Sequence, residues 1–197
     1  MTGSPQESPG QPATDAEAAQ ADPVLADPVL VEAVREIEAH VAESGWDQPG
    51  RLYALVPTSD LLAREPALAA AMGLDDAGAA GSLTPVEQDA VPSETPLETV
   101  LEGIIWPPEV FGCAAVVERL VLPPGAAAQM PDDPRSAEDY AAEHPDRQEV
   151  RIVAGATRAG STYCALRLRA HDDPLSVLES PDLVPALLEL LRSTLEH

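Results

Sequence analysis

The sequence predicts a single α+β domain in two layers: a mostly antiparallel sheet of four or five strands, packed by an N-terminal and a C-terminal helix. Three observations predict it. Residues 148–170 hold two alternating apolar–polar runs joined by Arg158-Ala159-Gly160, the pattern of a β-hairpin. Residues 110–122 are apolar at both parities, as in a central strand covered on both faces. Residues 28–44 and 183–195 carry apolar side chains at helical spacing.

The elements follow in order. Residues 1–26 are rich in Pro, Gly, Ser, Gln, Ala and acids and hold no basic residue, so they read as a disordered acidic tail before a domain at 27–197. The tail ends in a tandem repeat, ADPVL-ADPVL, over residues 21–30. In its second copy Asp27 suits a helix N-cap and Pro28 the first helical position. Leu30, Val34, Ile37 and Val41 then share a face, and Gly45 ends the helix. Residues 51–57 read as a buried strand. Two short helices follow at 58–65 and 67–72, separated by Pro66 and stopped at Gly73. Residues 75–82 are a loop, and 83–91 fit either a strand or a helical turn.

Thr95-Pro96-Leu97-Glu98 has the form of a capping box, with Leu97, Val100, Leu101 and Ile104 turned inward. In the strand at 110–122, Glu118 and Arg119 must point to opposite faces. Residues 123–147 form an acidic loop with a short helix at 137–143 after Ser136. The last helix presents a broad stripe of Leu183, Val184, Leu187, Leu188, Leu191 and Leu195.

Charge sets the outer limits on function. Acids outnumber Lys plus Arg by 34 to 11, for a formal net charge of −23. Phosphate backbones and anionic membranes would be repelled, which argues against nucleic-acid or membrane binding. Basic protein partners and cations remain open. The chain has no lysine and no asparagine, a bias that a GC-rich genome produces and that a halophile's acidic surface would share. There is no apolar run of membrane-spanning length and no signal-peptide pattern, so a cytoplasmic protein is expected. Cys113 and Cys164, both in strands, read as reduced core thiols, with an inter-strand disulfide as the alternative.

Against this background residues 150–170 invert the charge: four arginines and no acid. The three-residue hairpin loop, with Gly160 in the left-handed position, pairs Thr157 with Ser161. Arg151 then lies opposite Arg167, and Glu149 opposite Arg169. Val150, Ile152, Ala154, Cys164, Leu166 and Leu168 fall on the other face. Like charges directly opposite cost about 0.2–1 kcal/mol, so an anionic group should stand between Arg151 and Arg167. It can be internal, from Glu118 or a helix glutamate. It can also be an external carboxylate, phosphate or acidic segment, which the planar guanidinium would hold bidentately. Arg151, Arg167 and Arg169 are therefore the candidate anion or partner contacts.

Trp46 and Trp106 each stand at a helix end shortly before proline, either packed there or serving as interface anchors. His171-Asp172-Asp173-Pro174 reads as a capped turn, because ligands at consecutive positions do not converge on a metal. His40, His144 and His197 have no metal-binding spacing, so no metal site is expected. No nucleophile elbow, phosphate loop or dinucleotide fingerprint is present, and no catalytic residue or cofactor is expected.

Gly45-Trp46-Asp47-Gln48-Pro49 before Arg51-Leu52-Tyr53-Ala54-Leu55-Val56 is one half of a wider pattern. It continues through Leu83-Thr84-Pro85-Val86-Glu87-Gln88, Trp106-Pro107-Pro108-Glu109-Val110 and Val116-Val117-Glu118-Arg119-Leu120. It ends in Tyr163-Cys164-Ala165-Leu166-Arg167-Leu168-Arg169, His171-Asp172-Asp173 and Asp182-Leu183-Val184-Pro185. Over residues 28–196 this resembles an uncharacterised family of small acidic proteins from actinobacteria. The resemblance implies a cytoplasmic actinobacterial protein and carries over no activity and no functional residue. The expectation is thus a non-enzymatic interaction module with a protein partner or a second copy of itself. The alternative is a small-anion-binding protein or enzyme that uses the arginine face.

Overall fold

A computed structural model describes residues 26–75, 79–89, 91 and 95–196. The tail expected over residues 1–26 lies outside these except for Ala26, as do residues 76–78 of the 75–82 loop. In chain order the elements are α1 (Pro28–Glu43), β1 (Arg51–Pro57), α2 (Thr58–Arg64), α3 (Pro66–Ala71), β2 (Leu83–Glu87) and α4 (Leu97–Glu102). There follow β3 (Gly112–Val121), α5 (Pro124–Ala127), α6 (Pro134–Glu143), β4 (Gln148–Thr157) and β5 (Thr162–Leu168). Two 3-10 turns, Arg169–His171 and Pro174–Ser176, then lead to β6 (Leu178–Ser180) and α7 (Pro185–Ser193).

The strands form one sheet in the order β2-β1-β3-β4-β5-β6, and every neighbouring pair is antiparallel. That is six strands among the described residues, against the four or five expected. The additions are the segment at 83–87, which resolves as a strand, and the three-residue β6.

The two-layer expectation is corrected as well: helices cover both faces. Leu30, Val34, Ile37 and Val41 of α1 pack on Tyr53, Leu55, Val116 and Val153. Leu97 and Leu101 of α4 and Leu188 and Leu191 of α7 pack on Leu52, Ala54, Cys113, Ala115 and Ile152. Strand parity requires this. In β3 successive residues such as Cys113 and Ala114 point to opposite faces and are both fully buried, so neither face is open to water there.

Helix starts follow from capping chemistry. Asp27 accepts a hydrogen bond from Val29 N at 3.0 Å, with Pro28 at the first helical position. Asp133 and Pro134 repeat the device for α6, where the Asp133 carboxylate accepts from Ser136 N at 3.0 Å. This helix therefore starts three residues before the expected 137–143, and Ser136 lies inside it. At α4 the cap residue is Pro96 rather than Thr95, because its carbonyl accepts the first helical bonds, from Thr99 and Val100. The hairpin turn is as the sequence requires: Gly160 has φ +88° and Thr157 N donates to Ser161 O at 3.0 Å.

Candidate functional site

The arginine pair lies where the turn fixes it, with Arg151 opposite Arg167 and Glu118 of β3 opposite Arg151 on the other side. All three side chains point to the α1 face, at the end where α1 finishes. Glu118 Oε1 accepts from Arg151 Nε at 3.2 Å and from a terminal nitrogen at 2.9 Å. Glu38, one turn before the end of α1, takes Arg167 bidentately at 2.6 and 2.8 Å. Side-chain exposure is 4% for Arg167 and 9% for Glu38. The negative partner that the register demands is therefore supplied from within, by a neighbouring strand and by a helix. These are buried Arg–Glu ion pairs on one strand face.

The turn after α1 completes the cluster. Gly45 and Asp47 both adopt positive φ, +74° and +65°. Glycine does so freely and aspartate more readily than most side chains. This folds the turn back over the arginines. Gly45 O accepts from Arg151, and Asp47 N donates to Glu118 Oε2 at 2.7 Å. The Trp46 ring lies 4.4 Å from the Arg151 guanidinium carbon and 5.6 Å from that of Arg169, within cation–π range. Trp46 Nε1 donates to Asp172 at 2.9 Å, and Asp172 accepts from Arg167 at 3.2 Å. Asp47 grips Arg169 with both oxygens at 2.8 and 2.9 Å, and Glu149 takes the same arginine at 2.5 Å.

Electrostatics follow this geometry. The Glu38 hydrogen bonds raise the pKa of Arg167. Arg169 likewise titrates higher than usual, through Asp47 first and Glu149 second. The Asp47 carboxyl is held below the usual carboxylate range by Arg169, and that of Asp172 by the Trp46 indole and then Arg167.

The cluster is graded from inside to outside. Arg151 and Arg167 form a filled, buried floor. Arg169, 40% exposed, forms the surface end, with Asp47 at 75% and Glu149 at 42%. Beside it lies a depression of about 380 Å³ lined by Pro145, Arg147, Glu149, Arg169 and Ala170.

Sequence reasoning located Arg151, Arg167, Arg169 and Glu118, and paired Glu149 with Arg169. It did not single out Asp47, and it read Asp172 as part of a capped turn; Asp173 makes that cap, whereas Asp172 accepts from Trp46 and Arg167. The available signal was Gly45-Trp46-Asp47 directly after a helix, two turn-forming residues around a large aromatic. Arg158, in the turn between β4 and β5, has a role of its own. It donates to the carbonyls of Val110 at 2.9 Å, Trp106 at 2.9 Å, Pro107 at 3.2 Å and Leu195. Trp106 is buried against the end of α7, where Nε1 donates to Thr194 Oγ1 at 3.0 Å. Cys113 and Cys164 are free, buried thiols, each pushed up to about 11 chiefly by burial. Among the described residues, no three His, Cys, Asp or Glu side chains cluster to hold a metal ion, and no helix is long and apolar enough to cross a membrane.

Fold and site together define an antiparallel α+β protein with helices on both faces and an arginine-bearing strand face filled by its own carboxylates. The match to a family model over residues 30–196 gives it a place: the chain belongs to the PPA1309-like protein family, which has no assigned activity. No curated protein and no solved structure is significantly similar to it.

Proposed function

We propose that the protein is a non-enzymatic binding protein that takes a small anion, a carboxylate or phosphate, at the surface end of the arginine face. One observation carries this reading. The exposed guanidinium of Arg169 is held by two surface carboxylates, beside Arg147 and an open depression. Arg151 and Arg167 build the floor and are not receptors, since both guanidinium groups are buried and already held, by the half-buried Glu118 and the buried Glu38. Arg169 differs because its ligands reach water and can swing away. A guanidinium already engaged bidentately by Asp47 has the geometry that a carboxylate or phosphate guest needs.

The chain's own carboxylate competes with any guest at an effective concentration on the order of millimolar, so affinity for a monovalent anion is weak. A polyvalent anion bridging Arg147 and Arg169 fares better. Titration with inorganic phosphate and with succinate, followed by amide chemical shifts and thermal shift, tests this. Wild type should respond, and Asp47→Asn should bind several-fold more tightly because the competitor is gone. Arg147→Ala/Arg169→Ala should not respond. Equal responses in wild type and that double variant would sink the proposal.

A further inference from the structure

β6 is the last strand in the sheet order and pairs with β5 over Cys164–Ser180, Ala165–Glu179 and Leu166–Leu178. Its outer edge has no strand beside it among the described residues. Three exposed leucines lie in and beside this strand: Leu175, three residues before it, is 95% exposed, Leu178, its first residue, 55%, and Leu183, three residues after it, 38%. Leu175 is held outward by a fixed turn. Pro174 starts the turn, Asp173 accepts from Leu175 N at 2.7 Å, and Ser176 N donates to Asp173 O at 2.9 Å. Isolated surface leucines are ordinary, but three exposed ones within nine residues, around a strand whose outer edge is unpaired among the described residues, give an added strand apolar surface to cover.

The charges around the edge indicate what fits. Glu179, the one acid of β6, is committed to the α1 face, where Arg35 holds it at 2.7 and 2.9 Å and Tyr163 donates to it at 3.2 Å. The strand itself therefore presents no free acid. Asp173 and Asp182 flank it, both exposed, in a chain of net charge −23. A second copy would bring these acids against their own counterparts and add its own charge, so self-association is opposed.

We propose that the β6 edge, with Leu175, Leu178 and Leu183, docks an extended basic segment of another protein by strand addition. The segment's backbone pairs with β6, its alternate aliphatic side chains cover the leucines, and its lysines or arginines meet Asp173 and Asp182. This site is separate from the anion site and does not depend on it.

The test uses the full chain and an octapeptide alternating lysine and valine as probe. A second octapeptide, with glycine in place of valine, carries the same charge. Binding is read by titration, and the contact by amide hydrogen exchange. The valine peptide should bind with Kd of about 10–100 μM. It should slow exchange at residues 178–180 and bind about tenfold more weakly to Leu175→Ser/Leu178→Ser. Both leucines are exposed, and unchanged thermal melting verifies that this variant folds. Equal binding of the glycine peptide, unchanged binding by the leucine variant, or slowed exchange elsewhere would each overturn the proposal. So would a sedimenting dimer that the leucine variant dissociates, since the occupant would then be a second copy.

Discussion

Arg167 and Glu38 face each other with 4% and 9% of their side chains exposed, so neither has water to turn to if the other is lost. Replacing Arg167 with alanine leaves a buried carboxylate and should cost about 3–5 kcal/mol in urea denaturation. Replacing both, as Glu38→Leu/Arg167→Met, should recover most of that loss, because two apolar side chains need no partner. A double variant as unstable as the single one would contradict this account. The demand for a negative partner was legible in the sequence, since a turn of known register put two arginines opposite each other. Glu118 was legible too, as the acid on the nearest strand candidate. Glu38 could not be singled out among the glutamates of α1, because the sheet face that helix covers is a tertiary fact. Asp172 stands 126 residues from the Trp46 it binds, and nothing local announces such a contact.

Elements show where local chemistry speaks and where packing overrides it. The Asp-Pro start of α1 was readable, and Asp27→Ala should lower stability by about 1 kcal/mol. The same signature at Asp133-Pro134 was obscured by the acidic loop around it. β6 was not legible, because three residues between turns are too few to show alternation. Two glycines mark where strands are crowded. A Cβ on Gly112 would lie 2.5 Å from Ala156 O, a backbone atom. One on Gly155 would meet Val34 Cγ2 at 2.9 Å and Leu30 Cδ1 at 3.0 Å, side-chain tips that can shift. Gly155→Ala should therefore cost about 1–3 kcal/mol by overpacking under α1, and Gly112→Ala more. Thermal melts of both variants rank them, and the reverse order would refute the reading. The two-layer expectation failed because both faces of the sheet carry apolar side chains for helices to cover. The arginine face of the hairpin also carries Val153, Tyr163 and Ala165, so it is charged at one end and apolar along the rest.

Across the whole molecule, two opposite charge effects meet as pH falls. Asp47, Asp172 and Glu179 are all held below their ordinary values by hydrogen-bonding partners, so they contribute stability above about pH 4 to 4.5 that is lost as pH drops through their lowered folded values. Protonating unpaired acids meanwhile relieves repulsion in a chain of charge −23. The melting temperature should hold or rise from pH 7 to 5 and fall below about pH 4, with a shallower acid limb in Asp47→Asn/Asp172→Asn. An acid limb as steep as wild type would show that these carboxylates do not set it. At this scale the sheet core and terminal helices were legible, while the way distant segments are fastened was not. Arg158 is such a fastening. From the hairpin tip it reaches carbonyls 37 to 52 residues away, at the end of α7 and in the segment before β3. These can be engaged only after all three segments have assembled, so we expect its bonds to form after the folding barrier. In stopped-flow chevrons Arg158→Lys should speed unfolding by about tenfold while barely changing the folding rate. The lifetime of the native state, more than the speed of reaching it, is then governed from the tip of one hairpin.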